Sequence, residues 1–81
     1  MLERLLKFYE VCQYKKQSMQ LTLEHDKYED WFIRIAHHDS GTIIFNENDC
    51  SLNLLCARAY IALEAWARED FELEDIEINL K

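Results

Sequence analysis

The sequence predicts an α+β domain of two layers, ordered α-β-β-β-α, with a three-stranded antiparallel meander packed on two helices. Three observations predict it. Apolar residues recur at helical spacing at the start of the chain and again after residue 51. Between them, three short runs alternate apolar and polar residues, as half-buried strands do. Such a sheet has one face to bury, and laying both helices on it is the economical solution. Residues 1–68 form this domain. Residues 69–81 form an acidic element, expected as a strand or short helix docked on the same domain.

The first helix runs from Leu2 to about Lys16. Leu2, Leu5, Leu6, Tyr9 and Cys12 form its apolar face, and Glu3, Lys7, Glu10 and Tyr14 its polar one. Glu3 and Lys7 make an i,i+4 pair in the better orientation. Lys15 and Lys16 sit where the C-terminal helix dipole favours positive charge. In "SMQLTLE", Met19, Leu21 and Leu23 face one way and Gln20, Thr22 and Glu24 the other. Residues 25–30, "HDKYED", read as a polar loop.

"WFIRIAHHDSGTIIFNE" reads as a hairpin. A three-residue loop, Asp39-Ser40-Gly41, with Gly41 left-handed, is the common type I turn plus G1 bulge. It pairs His38 with Thr42, His37 with Ile43 and Ile35 with Phe45. Trp31, Ile33, Ile35, Ile43 and Phe45 then share one core face. A four-residue loop sets Ile35 opposite Ile44 and splits the apolar set, so the three-residue loop is preferred. Phe32, Arg34, Ala36 and Ile44 then face outward, beside Gln20, Thr22 and Asn46.

"NENDCS" is dense in helix-capping residues, with Asp49 or Ser51 placed to cap. The helix that follows carries Leu52, Leu55, Cys56, Ala59, Leu63 and Trp66 along one stripe. Its opposite side is also apolar, with Leu54, Ile61 and Ala65 flanking Arg58 and Arg68. A helix apolar nearly all round is deeply buried or touches something on both sides.

Composition narrows the function. The chain has 81 residues, 49% of them hydrophobic, no proline and a single glycine. Its loops must therefore be short or built from Asn, Asp and Ser. No apolar run approaches the ~20 residues of a membrane span. The N-terminus has no signal-peptide pattern. Cys12, Cys50 and Cys56 lack CxxC spacing, so no disulfide framework is expected and a reducing bacterial cytoplasm fits.

The net charge of −7 is concentrated. Residues 17–50 hold seven acids against two bases, and residues 69–81 six acids against one. Direct nucleic-acid binding is disfavoured, because Lys and Arg supply most such affinity. His25, His37 and His38 lack metal-ligand spacing, so no metal is expected. Cys50, near a helix start, is the least inert thiol, but no nucleophile turn accompanies it. Neither catalysis nor a cofactor is expected.

Six of the nine residues from Glu69 to Glu77 are acidic, with apolar residues threaded between them. Glu69, Asp70, Glu72, Glu74, Asp75 and Glu77, joined by Glu47 and Asp49, would present carboxylates to a basic surface that otherwise holds phosphates. The alternative is self-association through the outward sheet face at Phe32, Arg34 and Ile44, as a structural or regulatory module.

Three resemblances bear on this. "WFIRIAHHDSGTIIFNENDCSLNLLCARAYIALEAW" resembles small phage domains of the ABA-sandwich type, through the helix pattern "LNLLCARAYIAL". That implies a small αβ domain from a phage or prophage. The whole layout, with "FIRI", "NEND" and the acidic C-terminal part, resembles small acidic anti-CRISPR proteins of phages. That resemblance implies an inhibitor whose carboxylates, here Glu69, Asp70, Glu72, Glu74, Asp75 and Glu77, occupy a DNA-binding surface of a CRISPR effector. The element order is also similar to double-stranded RNA-binding domains, with "CARAYIALEAW" like their final helix. Where that family has lysines this chain has "ENDCSLN", which removes RNA binding and leaves the fold.

Overall fold

A computed structural model describes residues 1–16 and 18–70, without the side chain of Asp70. Helix α1 spans Leu2–Lys16, strand β1 Met19–His25, β2 Trp31–His37, β3 Thr42–Asp49, and helix α2 Leu52–Asp70. The sheet order is β1-β2-β3 and both pairings are antiparallel. The predicted α-β-β-β-α order and two-layer packing are therefore present. Of the acidic element expected over residues 69–81 as a docked strand or short helix, Glu69 and Asp70 continue α2, and residues 71–81 lie outside the described residues.

Helix α1 buries Leu5, Phe8 and Cys12. Phe8 replaces Leu6 on the expected core face, and Leu6 is exposed. The reason is the neighbour on one side: α1 lies against α2, where the Phe8 ring meets Tyr60 at 5.0 Å between centroids. That contact turns the helix toward α2, and the apolar stripe reads 5, 8, 12. Arg4 sits over the Tyr60 ring at 5.4 Å. From α2 the core receives Leu55, Cys56, Ala59, Leu63 and Ala67, with Leu52 and Trp66 packed at its margin. The two helices run in the same direction, since both α1 and α2 end at the end of the sheet where β1 begins. Trp66 there lies against His37, which pairs with Met19.

The passage from α1 to β1 is fastened by Gln13. Its side-chain amide donates to Met19 O (3.2 Å), and Met19 N–H donates back to its Oε1 (2.9 Å). Ser18, at φ 55°, turns the chain into the strand. Along β1, Met19 is buried, Leu21 half-buried and Leu23 exposed, so the expected inward row fades toward the far end.

The β2–β3 hairpin differs from the expected register in an informative way. The connection has four residues, 38–41, closed by Gly41 N–H to His38 O at 3.2 Å. Gly41 is left-handed as expected, at φ 70°. His37 pairs with Thr42 and Ala36 with Ile43, rather than His38 with Thr42 and His37 with Ile43. Ile35 nonetheless lies opposite Phe45, because Ile44 is an extra residue, a β-bulge. The bulge offsets the longer loop by one residue and restores the register that buries Ile33, Ile35 and Phe45.

The bulge also exchanges two neighbours. Ile44, expected outward, packs against the core. Ile43, expected inward, shares the outer face with its partner Ala36 and is 50% exposed. Ala36 is buried there by its neighbours, outside the core cluster.

Candidate functional site

The 25–30 loop has neither glycine nor proline and is built around Asp26. Its Oδ1 accepts from Tyr28 N–H (2.9 Å) and Asp30 N–H (3.0 Å), and Glu29 takes a left-handed φ of 69°. Asp30 Oδ2 accepts from Asn48 Nδ2 at 3.0 Å, which ties this loop to the end of β3. The pairings Glu24–Phe32, His25–Trp31 and Trp31–Asp49 belong to the same end of the sheet. Glu24, Asp26, Glu29, Asp30, Glu47 and Asp49 are thus gathered there, with Lys27 and Arg58 as the neighbouring bases. Lys27 lies over the Tyr28 ring at 5.1 Å.

Glu47 and Asp49 are not equivalent within this group. Asp49 Oδ1 accepts from Ser51 N–H at 2.8 Å, and Asp49 Oδ2 takes a hydrogen bond from Arg58 at 3.0 Å. Ser51 is the helix cap, its Oγ accepting from Leu54 N–H at 3.3 Å. Asp49 therefore organises the turn into α2 and is half-buried. Glu47 is exposed and meets Arg58 at a looser 3.6 Å. Arg58 offsets part of the charge of both acids, a role the spacing of the sequence did not reveal.

Of the C-terminal acids, Glu69 is exposed on the last turn of α2. Glu72, Glu74, Asp75 and Glu77 lie outside the described residues, as does the side chain of Asp70. Residue 70 is at the opposite end of the molecule from the six-acid group. Nineteen helical residues separate the two ends by about 28 Å, at 1.5 Å per residue.

Among the described residues nothing covers the sheet face away from the helices. Phe32 is exposed and Arg34 half-buried there, as expected, and Ile43 stands where Ile44 was expected. Thr22, Glu24, Phe32, Arg34 and Asn46 line a shallow depression on this face. Among the described residues Arg34 has no salt-bridge partner.

The histidines do not converge. His25 stacks on Trp31 at one end of β2, and His37 lies at the other, about 20 Å away at 3.3–3.4 Å per residue. His37 Nδ1 is 2.7 Å from Ser40 Oγ, which donates to Thr42 Oγ1 at 2.9 Å. With the proton on Nδ1, His37 donates to Ser40, which leaves Nε2 buried and, among the described residues, without a hydrogen-bond partner. His38 donates from Nε2 to Gln20 Oε1 at 3.1 Å. Among the described residues no group of three or more His, Cys, Asp or Glu is placed to hold a metal ion. Nor is any helix among them long and apolar enough to cross a membrane.

Cys12 and Cys56 are fully buried and Cys50 is exposed. Burial pushes the Cys12 thiol up to about 12 and raises that of Cys56 as well, the positive N-terminal charge offsetting part of the latter shift. Both behave as small core hydrophobes. Tyr9 is raised by burial, offset in part by a hydrogen bond from the Leu21 backbone.

No family model matches the chain, and neither a curated protein nor a solved structure shows significant similarity to it.

Proposed function

We propose that this is a small non-catalytic inhibitor of phage or mobile-element origin. It binds the basic, nucleic-acid-holding surface of a protein partner through carboxylates that stand in for phosphates. A CRISPR effector is the partner class that the resemblance to acidic anti-CRISPR proteins implies. The observation that carries the reading is the gathering of Glu24, Asp26, Glu29, Asp30, Glu47 and Asp49 at one end of the sheet, while the acid-rich C-terminal segment starts from the other. A partner groove that follows a nucleic-acid backbone carries its bases along a line, and acids at the sheet end together with Glu69 at the far end of α2, a helix of about 28 Å, suit such a line. Asp49 serves the helix cap, so Glu24, Glu29 and Glu47, all exposed, are the contributors from the sheet end. Glu69, Asp70, Glu72, Glu74, Asp75 and Glu77 are the contributors from the other.

The test is charge reversal in the full chain. One variant carries Glu24→Lys, Glu29→Lys and Glu47→Lys, and a second carries Glu72→Lys, Glu74→Lys and Asp75→Lys. Each should weaken capture of a nucleic-acid-processing protein from bacterial lysate at least tenfold, with the wild-type complex weakening steeply as salt rises. Unchanged capture by both variants would remove the reading.

One observation favours a second reading. Among the described residues nothing covers Phe32 and Ile43 on the sheet face beside Arg34, and a second copy of the chain would cover them. Sedimentation separates the two, since an apolar dimer persists in high salt.

A further inference from the structure

The two edges of the sheet differ in what meets them. His38 N–H donates to Ser18 O, so even-numbered β2 residues bond to β1 and odd-numbered ones to β3. The outward-pointing backbone groups of β1 include those of Met19 and Leu21, and α1 meets both. The Gln13 amide bonds the N–H and C=O of Met19, and the Leu21 backbone bonds Tyr9. Along β3, residues 45–49 pair in regular register with 35–31, so Phe45, Glu47 and Asp49 bond inward to β2. The outward groups there belong to Asn46 and Asn48. Both residues are exposed, and among the described residues nothing bonds their backbone on the open side. Edge strands are commonly blunted by proline, lysine or a bulge. β3 has neither proline nor lysine, and its bulge at Ile44 lies before the regular stretch.

This edge is also one wall of an open groove. Residues 43–47 line it consecutively, although their side chains point to both faces of the sheet, so the wall is the strand edge itself. Arg58, Ile61 and Ala62 of α2 form the other wall, and Ile61 is 67% exposed. The groove is graded along β3. Its hairpin end is aliphatic, with Ile44 and Ile61. Toward Asp49 it becomes acidic, since the six acids gathered at that end of the sheet outnumber Lys27 and Arg58, and Arg58 is engaged by Glu47 and Asp49.

We infer that the β3 edge takes an extended segment of a partner protein as a fourth strand, one that carries a Lys or Arg beside Glu47 and, two positions away, an aliphatic residue against Ile61. Side chains alternate along a strand, so both of these enter the groove on the helix side while the segment's backbone bonds Asn46 and Asn48. The main-chain bonds supply affinity, and the two side chains supply selection. A base suits the acidic end of the groove. A second copy would instead bring another chain of net charge −7, and like charges on neighbouring strands oppose pairing. The inference goes beyond the phosphate-mimicry reading and does not rest on it, since that reading uses carboxylates alone and asks nothing of the strand's backbone.

The experiment is selection of random eight-residue peptides, the length of β3, on the immobilised full chain, followed by amide hydrogen exchange of the isotope-labelled chain with an enriched peptide. Enriched peptides should share a Lys or Arg two positions from an aliphatic residue. Their binding should slow exchange of the Asn46 and Asn48 amides, which exchange freely in the peptide-free chain, and leave the Phe45 and Glu47 amides unchanged. Ile61→Asp should weaken binding roughly tenfold or more. Asn46→Pro should do the same, because it removes an outward N–H and no ladder bond to β2. The Ile33 and Ile35 methyl signals should stay in place in both variants. A selection that enriches nothing, or peptides that lack the pattern or bind without protecting Asn46 and Asn48, would overturn the inference. So would Asn46 and Asn48 amides already protected in the peptide-free chain, since the edge would then be covered by the chain itself or, where protection appears only at high concentration, by a second copy.

Discussion

At the residue scale, the chain separates its three thiols by environment. Cys12 and Cys56 fill gaps in the core and Cys50 faces water. One equivalent of thiol reagent should therefore react in the folded protein and three after unfolding. The Cys12 thiol also makes stability depend on alkaline pH. Its proton is held to about pH 12 in the folded state and leaves near the ordinary thiol value of 9.0 in the unfolded state. The contribution is complete below pH 9 and is lost as pH rises from 9 toward 12, at up to about 1.4 kcal/mol per pH unit. Cys12→Ala should flatten urea-denaturation stability over that range, and an unchanged slope would assign the loss to other groups. Ser51 is the other residue with a single clear task. Ser51→Ala removes the acceptor for Leu54 N–H and should cost about 1 kcal/mol.

At the scale of elements, the order of helices and strands was legible because each period was distinct. Alternation marked β1 to β3, and the 3.6-residue stripe marked α1 and α2. The faces were less legible. α1 offers two overlapping apolar stripes, and Phe8, not Leu6, is buried because Tyr60 of α2 waits on that side. Phe8→Ala should therefore cost about 3–5 kcal/mol, while Leu6→Ala should stay within about 0.5 kcal/mol of α1 surface substitutions. The hairpin shows a different limit. Sequence pattern demanded Ile35 opposite Phe45, and the structure delivers it through a bulge instead of a shorter loop. Pattern specifies which residues must be buried, but two backbone routes satisfy it, and the choice exchanges Ile43 with Ile44. Ile43→Thr should leave stability nearly unchanged. Ile44→Thr should cost at least about 1 kcal/mol, because a hydroxyl replaces aliphatic carbon packed on the core.

At the scale of the whole molecule, charge and apolar surface are arranged separately. The acids of two loops that lie apart in sequence converge because antiparallel pairing brings the β1–β2 turn to the end of β3. The sequence held those acids in view, yet only the meander topology brings them together. Arg58, which offsets Glu47 and Asp49, became visible only with the fold. Exposed aliphatic residues stand on α2 at Leu54 and Ile61, so the proposed recognition by charge and any contact through apolar surface need not compete. Salt is the lever that separates them, since it screens charge pairs and leaves apolar contacts intact.

The most direct measurement is capture from bacterial lysate on the immobilised full chain, with elution first by an oligonucleotide and then by salt. The account predicts release of one nucleic-acid-processing protein by the oligonucleotide, because acids and phosphates would compete for the same basic surface. A captured protein that resists both the oligonucleotide and high salt would contradict it, and would shift attention to Phe32, Ile43 and Arg34 on the open face of the sheet.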